Sequence, residues 1–505
     1  MGTRETRSIN RMSTKRTTTF LLVTTVALLL YLPFLSVQYD TNGIIEATAV
    51  ESGPLLNKNH LLYRPIGFLF WSAVRLAGYA GNSLHVLQCL TAIAGALGVG
   101  FAYLAFQSLV PSRSYAAAAA LALGTSYTYW VTSTDVYYIP LAAMFAAAAL
   151  AVIVNARSTR WLIGAGTLTG LSIITWQANA FLVPALLLVA PPRHRTLRGS
   201  MIFVGTVTVF AGAPYVAAAI ASHGLFRPAE AWAWFTRYNE GPTLKIWGAW
   251  ELARIPAALL AAMNSLVPVS LSAGPGELLQ GVKLGRIAVD IAVLVLIFMS
   301  ILAGVKTSRS GIRFLAAYVC FLPFIAWWDP SHKWFLVPNL FLVGFLVLGI
   351  AEWRSRRIAS LVFTLGLFAI ASTNFITTIR PRRFNSGSDR SMAACVASHM
   401  DPPDIFVATE WGWPDYLEYF HHRAAINVIN ETAQFGNKDG AMSDVRFRVD
   451  EIRRAGGQAY VVDPRHYSDA QLQWLRETTG LKLDELLSLG GTPAFVCENV
   501  SIQRL

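Results

Sequence analysis

Long apolar runs broken by short polar stretches fill the chain up to about residue 380. A run of about 17 to 25 apolar residues can cross a bilayer as a helix. Such runs lie at 20–37, 84–109, 115–131, 138–155, 200–221, 287–304, 313–328, 334–350 and 358–377. Segment 161–190 is apolar as well, interrupted at WQAN (176–179). It is short for two full crossings, so it predicts two tilted or shortened helices. The first run follows a basic N-terminus, exceeds a signal-peptide core in length and lacks a small-residue cleavage site, so it reads as a retained anchor.

The polar breaks orient these helices. Arg4, Arg7, Arg11, Lys15 and Arg16 form one basic cluster; Arg157 with Arg160, and Arg193, Arg195 and Arg198, form two more. Lys306, Arg309 and Arg313, then Arg354, Arg356 and Arg357, complete the set. Clusters of this kind mark cytoplasmic loops. The N-terminus is therefore expected inside. QYDTNGIIEA (38–47), TSTDVYY (132–138), the aromatic loop 222–254, DPSHKW (329–334) and the tail after about 380 are expected outside. Parity allows two crossings between 61 and 131, where three apolar segments fall. Segment 62–80 carries Arg64 and Arg75 and is expected to lie along the outer surface, as is 255–272. About eleven spans result.

Past Arg380 the pattern shortens. DIFVAT (404–409), AAINVIN (424–430), QAYVVD (458–463) and PAFVCENV (493–500) read as strands. Residues 443–456, stopped by Gly456, and 468–480 read as helices. The predicted fold is thus mostly α. A polytopic transmembrane bundle (1–380, with a first outer loop at 38–61) carries a small extracytoplasmic α/β domain (381–505). No internal repeat is visible.

Composition agrees. The 505 residues are 54% hydrophobic and 14% charged, with mean hydropathy +0.45, whereas a soluble domain is about a quarter charged. The net charge of +12 sits mainly in the basic loops, so it implies a lipid bilayer as partner and not nucleic acid. Alanine- and arginine-rich usage suggests a bacterial plasma membrane. Cys89 and Cys320 lie in apolar runs as packing residues, whereas Cys395 and Cys497 could pair if the tail is outside.

Candidate chemistry collects on the outer face. Asp40 and Glu46 leave the first helix, followed by NKNHLLYRPIG (57–67); Asp135 opens a later helix, and Asp329, His332 and Lys333 share an outer turn. Carboxylates beside cations there suit transfer from a phosphate-bearing lipid, in which a carboxylate deprotonates the acceptor and cations hold the leaving phosphate. Six residues apart, Asp40 and Glu46 fall about 240° apart on a helix, and DTNG (40–43) looks like a turn. No His/Cys/Asp set has metal-ligand spacing, so no cofactor is indicated, although the carboxylates leave room for a divalent cation.

Each residue also has a plainer role. Asp40 and Asp135 could cap helices, Glu46 could be a solvated loop charge, and His60 a satisfied interfacial histidine. Arg64 and Lys333 could only snorkel to head groups. Trp232, Trp234 and Trp247 suit an interface belt, and Trp411 and Trp413 suit packing.

The basic N-terminus, the outer loop opening with Asp40, and NHLLYRPIGFLFW (59–71) resemble the GT-C superfamily of membrane glycosyltransferases, which use polyprenyl-phosphate sugars; the protein O-mannosyltransferases are a familiar branch. SYTYWVTSTDVYYIPLAAMF (126–145) is similar to that family's second acidic segment. The resemblance implies Asp40 as general base and Asp135 at the second acidic position, with Glu46 as a further acid. Lys333, His332, Arg64, Arg237 or Lys245 would hold the donor phosphate, and His60 and Tyr138 would line the substrate. It also implies inverting transfer to a protein, lipid or polysaccharide hydroxyl. The chain departs from the pattern where the family often has His-Pro-Pro and a second acid closer to the first. Two other classes share parts of this layout. A transporter or flippase of lipid-linked sugars would carry ionisable residues deep in its helices, and an O-antigen ligase or polymerase would lean on outer-loop arginines.

Overall fold

Alanine carries the centre of the bundle. Helix α7 (Ile139–Val154, IPLAAMFAAAALAVIV) packs between α4 (Ser83–Gln107) and α8 (Thr159–Thr175). Small side chains there let backbones approach closely, which is how helices associate where lipid removes the hydrophobic drive. The structure, a computed structural model, describes residues 2–224, 227–230, 234, 248, 250–268, 309–351, 356–435, 437–487 and 491–505.

The helices before α4 are α1 (Gly2–Tyr31), α2 (Thr41–Ser52) and α3 (Tyr63–Leu76). Around α7 and α8 come α5 (Arg113–Thr125), α6 (Tyr127–Ser133), α9 (Leu182–Val189) and α10 (Leu197–His223). The remaining membrane-region helices are α11 (Arg254–Asn264), α12 (Arg309–Val319), α13 (Leu322–Trp328), α14 (Pro338–Ala351) and α15 (Arg356–Asn374). A π-turn at Phe375–Ile379 then leads into α16 (Arg380–Phe384).

Among the described residues, helical stretches at Thr14–Phe34, Ser83–Gln107, Leu197–Ala221 and Arg309–Trp328 are long and apolar enough to cross a bilayer. Ile139–Val154, Gln177–Val189 and Pro338–Ala351 are shorter apolar helices. Segment 115–131 is broken at Ser126 into α5 and α6, and 161–190 turns at Gln177–Phe181 between α8 and α9. At 1.5 Å per residue α3 and α11 are only about 21 and 16 Å long, short of a bilayer core. The span expected at 287–304 lies outside the described residues, as does most of loop 222–254.

The tail begins with α17 (Gly387–Ala397) and builds a five-stranded sheet in the order β2-β1-β3-β5-β4. Strands β1 (Ile405–Ala408), β2 (Ala424–Asn427) and β3 (Ala459–Val462) are parallel. Their crossovers are α18 (Trp413–His421) from β1 to β2, then α19 (Val428–Phe435) and α20 (Lys438–Arg454) from β2 to β3. Helices α21 (Asp469–Thr479) and α22 (Leu483–Leu487) follow.

The expected strand 424–430 ends at Asn427, whose side chain accepts from the N–H of Ile429 and turns the chain into α19. The expected strand 493–500 is instead a hairpin of β4 (Thr492–Cys497) and β5 (Val500–Arg504). Its two turn residues, Glu498 and Asn499, have φ of 50° and 67°, the left-handed pair that suits a tight hairpin. A disulfide joins Cys395 on α17 to Cys497 on β4. Cys89 and Cys320 are free and half-buried.

One apolar cluster fills the bundle and two more cover the faces of the sheet. Ile44 of α2 sits in the second of these, against Met392, Trp413 and Tyr416. The segment that follows α1 is thereby packed into the C-terminal region.

Candidate active site

Helix α1 ends at Tyr31, and a 3-10 turn containing Pro33 redirects the chain. The stretch that follows is braced on both sides by backbone. Ser36 N–H donates to Thr134 O at 2.8 Å, Val37 N–H to Arg382 O at 2.9 Å, and Gln88 Nε2 to Ser36 O at 2.7 Å. This delivers Asp40 to the start of α2. DTNG is therefore a helix N-terminus: the Asp40 side chain caps α2, accepting from Asn42 N–H at 3.0 Å and Asn42 Nδ2 at 2.7 Å. Gly43 makes the close approach feasible, because a Cβ there would meet Val136 O at 2.6 Å.

Capping leaves the second carboxylate oxygen for a cation. Lys333 Nζ donates to Asp40 Oδ2 at 3.0 Å, with both side chains part-exposed. Asp135 lies behind them, 2% exposed, between α6 and α7. Its Oδ1 accepts from Val136 N–H at 2.7 Å, and its Oδ2 from both Arg382 Nη2 at 2.7 Å and Asp40 N–H at 3.1 Å. Arg382 also donates to Gln38 O at 2.9 Å. The result is a row of four charged groups, Lys333–Asp40–Asp135–Arg382, with the two carboxylates at its centre linked by one backbone N–H and a cation at each end.

Burial separates the two carboxyls. On Asp40, burial pulls upward, but the Lys333 ammonium together with the Asn42 donors outweighs it and leaves the carboxyl below its usual range. On Asp135, burial wins and pushes the carboxyl up to about 7, with the Asp40 charge adding to it and Arg382 opposing it. Asp40 is thus an ionised, part-exposed carboxylate at neutral pH, while Asp135 is enclosed and near its titration point.

Other candidates fall elsewhere. Glu46 and Arg64 meet each other in a buried two-point ion pair, Nε–Oε2 at 2.9 Å and Nη2–Oε1 at 3.1 Å, with Arg64 Nη1 also on Pro54 O at 3.0 Å. His60 stacks on Tyr138 with ring centroids 3.3 Å apart, and both rings are buried. Burial and the Arg64 charge push the His60 imidazole down to about 3, so it is neutral. Tyr138 stacks in turn on Tyr137, over whose ring Lys333 Nζ lies at 5.5 Å.

His332 packs on Tyr127, and burial with the Lys333 charge pushes it down to about 4. It offers a neutral ring and no cation. Asp329 is held by Trp334 Nε1 at 3.2 Å. Arg237 and Lys245 lie outside the described residues, with Trp232 and Trp247. Trp411 and Trp413 pack edge-on against Trp474 and Phe406.

Arg382 was not a sequence candidate, although a signal existed. Arg380, Arg382 and Arg383 put three cations at the expected outer end of the last helix, where the charge bias that orients the other loops places none.

A divalent cation does not fit these residues as they stand. The oxygens of Asp40 and Asp135 are occupied by Lys333, Arg382, Asn42 and backbone N–H groups. The one close group of three such ligand residues among the described residues is Cys395, His399 and Cys497, and its two sulfurs are joined as a disulfide.

Beside α2, a cavity of about 460 Å³ opens toward α18, lined by Glu51, Arg64, Asp415 and Tyr419 among others. Tyr419 Oη donates to Glu51 at 2.7 Å across it. Nearby, Tyr416 Oη donates to Tyr39 O at 2.8 Å and accepts from Tyr39 N–H at 2.7 Å, so α18 grips the residue before Asp40.

No protein-family model matches the chain, and no curated protein matches it in sequence. Solved structures do resemble it. ArnT from Cupriavidus metallidurans, bound to undecaprenyl phosphate, aligns with a TM-score of 0.57 at 13% identity, covering 96% of this chain and 97% of that one. The Archaeoglobus fulgidus oligosaccharyltransferase tethered with an acceptor peptide aligns with a TM-score of 0.52 at 12% identity, covering 93% and 71%. AglB of the same organism, in complex with an inhibitory peptide and a dolichol-phosphate, gives 0.52 at 12%, covering 95% and 73%. At these identities the shared property is the fold alone, and it agrees with the fold that the loop-one resemblance implied.

Proposed function

We propose that this chain is a membrane glycosyltransferase that moves a sugar from a polyprenyl-phosphate donor to an acceptor hydroxyl on the extracytoplasmic face. The observation that carries this reading is the Asp40 carboxylate, ionised and part-exposed beside Lys333 and fixed in place by Asp135 and Arg382. The fold shared with proteins captured with undecaprenyl phosphate and dolichol-phosphate supports the donor class.

In this mechanism Asp40 takes the acceptor proton as the hydroxyl oxygen attacks the anomeric carbon. The bond from that carbon to the phosphate oxygen breaks with its electron pair, the configuration inverts, and polyprenyl phosphate leaves. Lys333 has two tasks. Before the donor arrives it keeps Asp40 deprotonated. When the phosphate enters, its negative charge competes for the ammonium, and loss of that partner raises the basicity of Asp40 where the base is needed. Asp135 positions the Asp40 backbone. Glu46 and Arg64 act as a structural pair, and His60 and Tyr138 as a packed wall.

The test is transfer in membranes from a panel of labelled polyprenyl-phosphate sugars, with wild type and Asp40→Asn at matched expression. Consumption of one donor by wild type, with a loss of roughly 10²–10⁴-fold in the variant, is the expected result. Equal consumption by both proteins would make Asp40 a helix cap and remove it from the chemistry. Lys333→Gln should raise the KM for that donor more than Lys333→Arg does.

A further inference from the structure

A second cavity, of about 540 Å³, lies at the opposite end of the bundle. Ser83 opens α4 beside the site, its Oγ donating to Ala47 O on α2 at 3.1 Å. Leu104, on the same helix, lines this cavity some 32 Å further along. That separation matches the thickness of a bilayer's hydrocarbon core, about 30 Å. Phe101 and Val152 contribute apolar wall, Trp161 stands at the edge 40% exposed, and Arg16 and Arg157 border it.

Among the described residues, the arginines are held at this mouth without acidic partners. Arg16 Nη2 donates to Leu104 O and to Ser108 Oγ, both at 2.9 Å, and Ser108 Oγ donates to Asn155 Oδ1 at 2.8 Å. Arg193 joins them through Ala156 O, next to Arg157. Among the described residues no carboxylate pairs with Arg16, Arg157 or Arg193. An apolar cavity between helices with an uncompensated cationic rim at membrane depth suits a phosphate on an acyl chain. The walls offer a free phosphate ion little to replace its water, and a zwitterionic head group brings a cation of its own to the rim.

We propose that this cavity binds an anionic phospholipid of the cytoplasmic leaflet. Its phosphate would sit between Arg16 and Arg157, and one acyl chain would lie along Phe101 and Val152. The occupant is a resident lipid at the far end of the molecule from Asp40, so the proposal does not depend on the transfer reaction.

The experiment places the full chain in phosphatidylcholine vesicles containing a minor share of either chain-brominated phosphatidylglycerol or chain-brominated phosphatidylcholine. Quenching of Trp161 is isolated as the difference between wild type and Trp161→Phe. The proposal expects stronger quenching by the phosphatidylglycerol, weakened by added salt. In Arg157→Gln the lipid preference should fall roughly fivefold, whereas Arg157→Lys should keep it. Arg157 is exposed, so this variant tests the rim without disturbing the core. Equal quenching by the two lipids in wild type would overturn the proposal, as would a preference unchanged in Arg157→Gln and in the Arg16→Gln/Arg157→Gln double variant.

Discussion

Asp135 accepts three hydrogen bonds, and only one of them comes from a charged group, Arg382. That arginine opposes the burial which pushes Asp135 up to about 7. Removing it removes a cause that lowers the pKa, so the carboxyl must titrate higher. If ionised Asp135 is the strut for Asp40, the acid limb of kcat/KM in wild type should sit near pH 7. Arg382→Gln should move that limb to higher pH, and Arg382→Lys should restore part of it; an unmoved limb in Arg382→Gln would separate Asp135 from activity. The Glu46–Arg64 pair behaves differently because both partners are enclosed. Glu46→Gln strands a buried guanidinium and should cost about 3–5 kcal/mol in thermal or denaturant unfolding, whereas Glu46→Leu with Arg64→Met should recover most of it. Sequence reasoning placed Asp40, Asp135 and Lys333 as candidates because acid and base types at helix ends are visible locally. It could not see that Glu46 belongs to Arg64, or that Arg382 reaches across 247 positions to Asp135. Partners at that separation are chosen by folding, and no local spacing encodes them.

At the scale of elements, what was legible follows from period and length. Apolar runs announced α1, α4, α7 and α10, and the break at WQAN announced the turn between α8 and α9. Short strands β1 and β3, buried on both faces, were equally visible as apolar runs of four. Helix α18 was not, because its apolar face, Trp413, Tyr416, Leu417 and Phe420, is interleaved with charge and begins beside a proline. Helix α2 was only half visible: Asp40 read as a possible helix cap, but its Asn-Gly pair is a strong turn signal. The glycine serves contact instead: α2 must touch the 134–138 loop closely enough to set Asp40 N–H on Asp135. Gly43→Ala should therefore push α2 off Val136 and cost about 1–3 kcal/mol in stability. Its effect on kcat should be larger, approaching a hundredfold, because a misplacement near 1 Å is enough for that. Unfolding midpoints and a kcat-against-KM split on one preparation would show whether activity falls further than stability.

For the whole molecule, the reading depends on which side of the membrane the C-terminal region occupies. Three links tie that region to the site: Arg382 to Asp135, Tyr416 to Tyr39, and Ile44 of α2 inside the cluster around Trp413. Asp40 and the sheet therefore share one face, and the proposed transfer takes place on whichever side the sheet occupies. The disulfide between Cys395 and Cys497 reports on that face, because such bonds persist in oxidising compartments and are rare in the cytosol. It closes a sequence separation of 102, for which the loop-closure argument gives about 4–5 kcal/mol. Intact cells treated with a membrane-impermeant maleimide should leave both cysteines unlabelled until an impermeant reductant is added, and then label them without lysis. Purified protein should lose thermal stability under the same reductant, and a Cys395→Ser/Cys497→Ser variant should match the reduced wild type. Labelling that requires lysis would put the sheet in the cytoplasm. Asp40 would move there with it, and neither extracytoplasmic transfer nor a cytoplasmic-leaflet lipid at Arg16 and Arg157 could then stand.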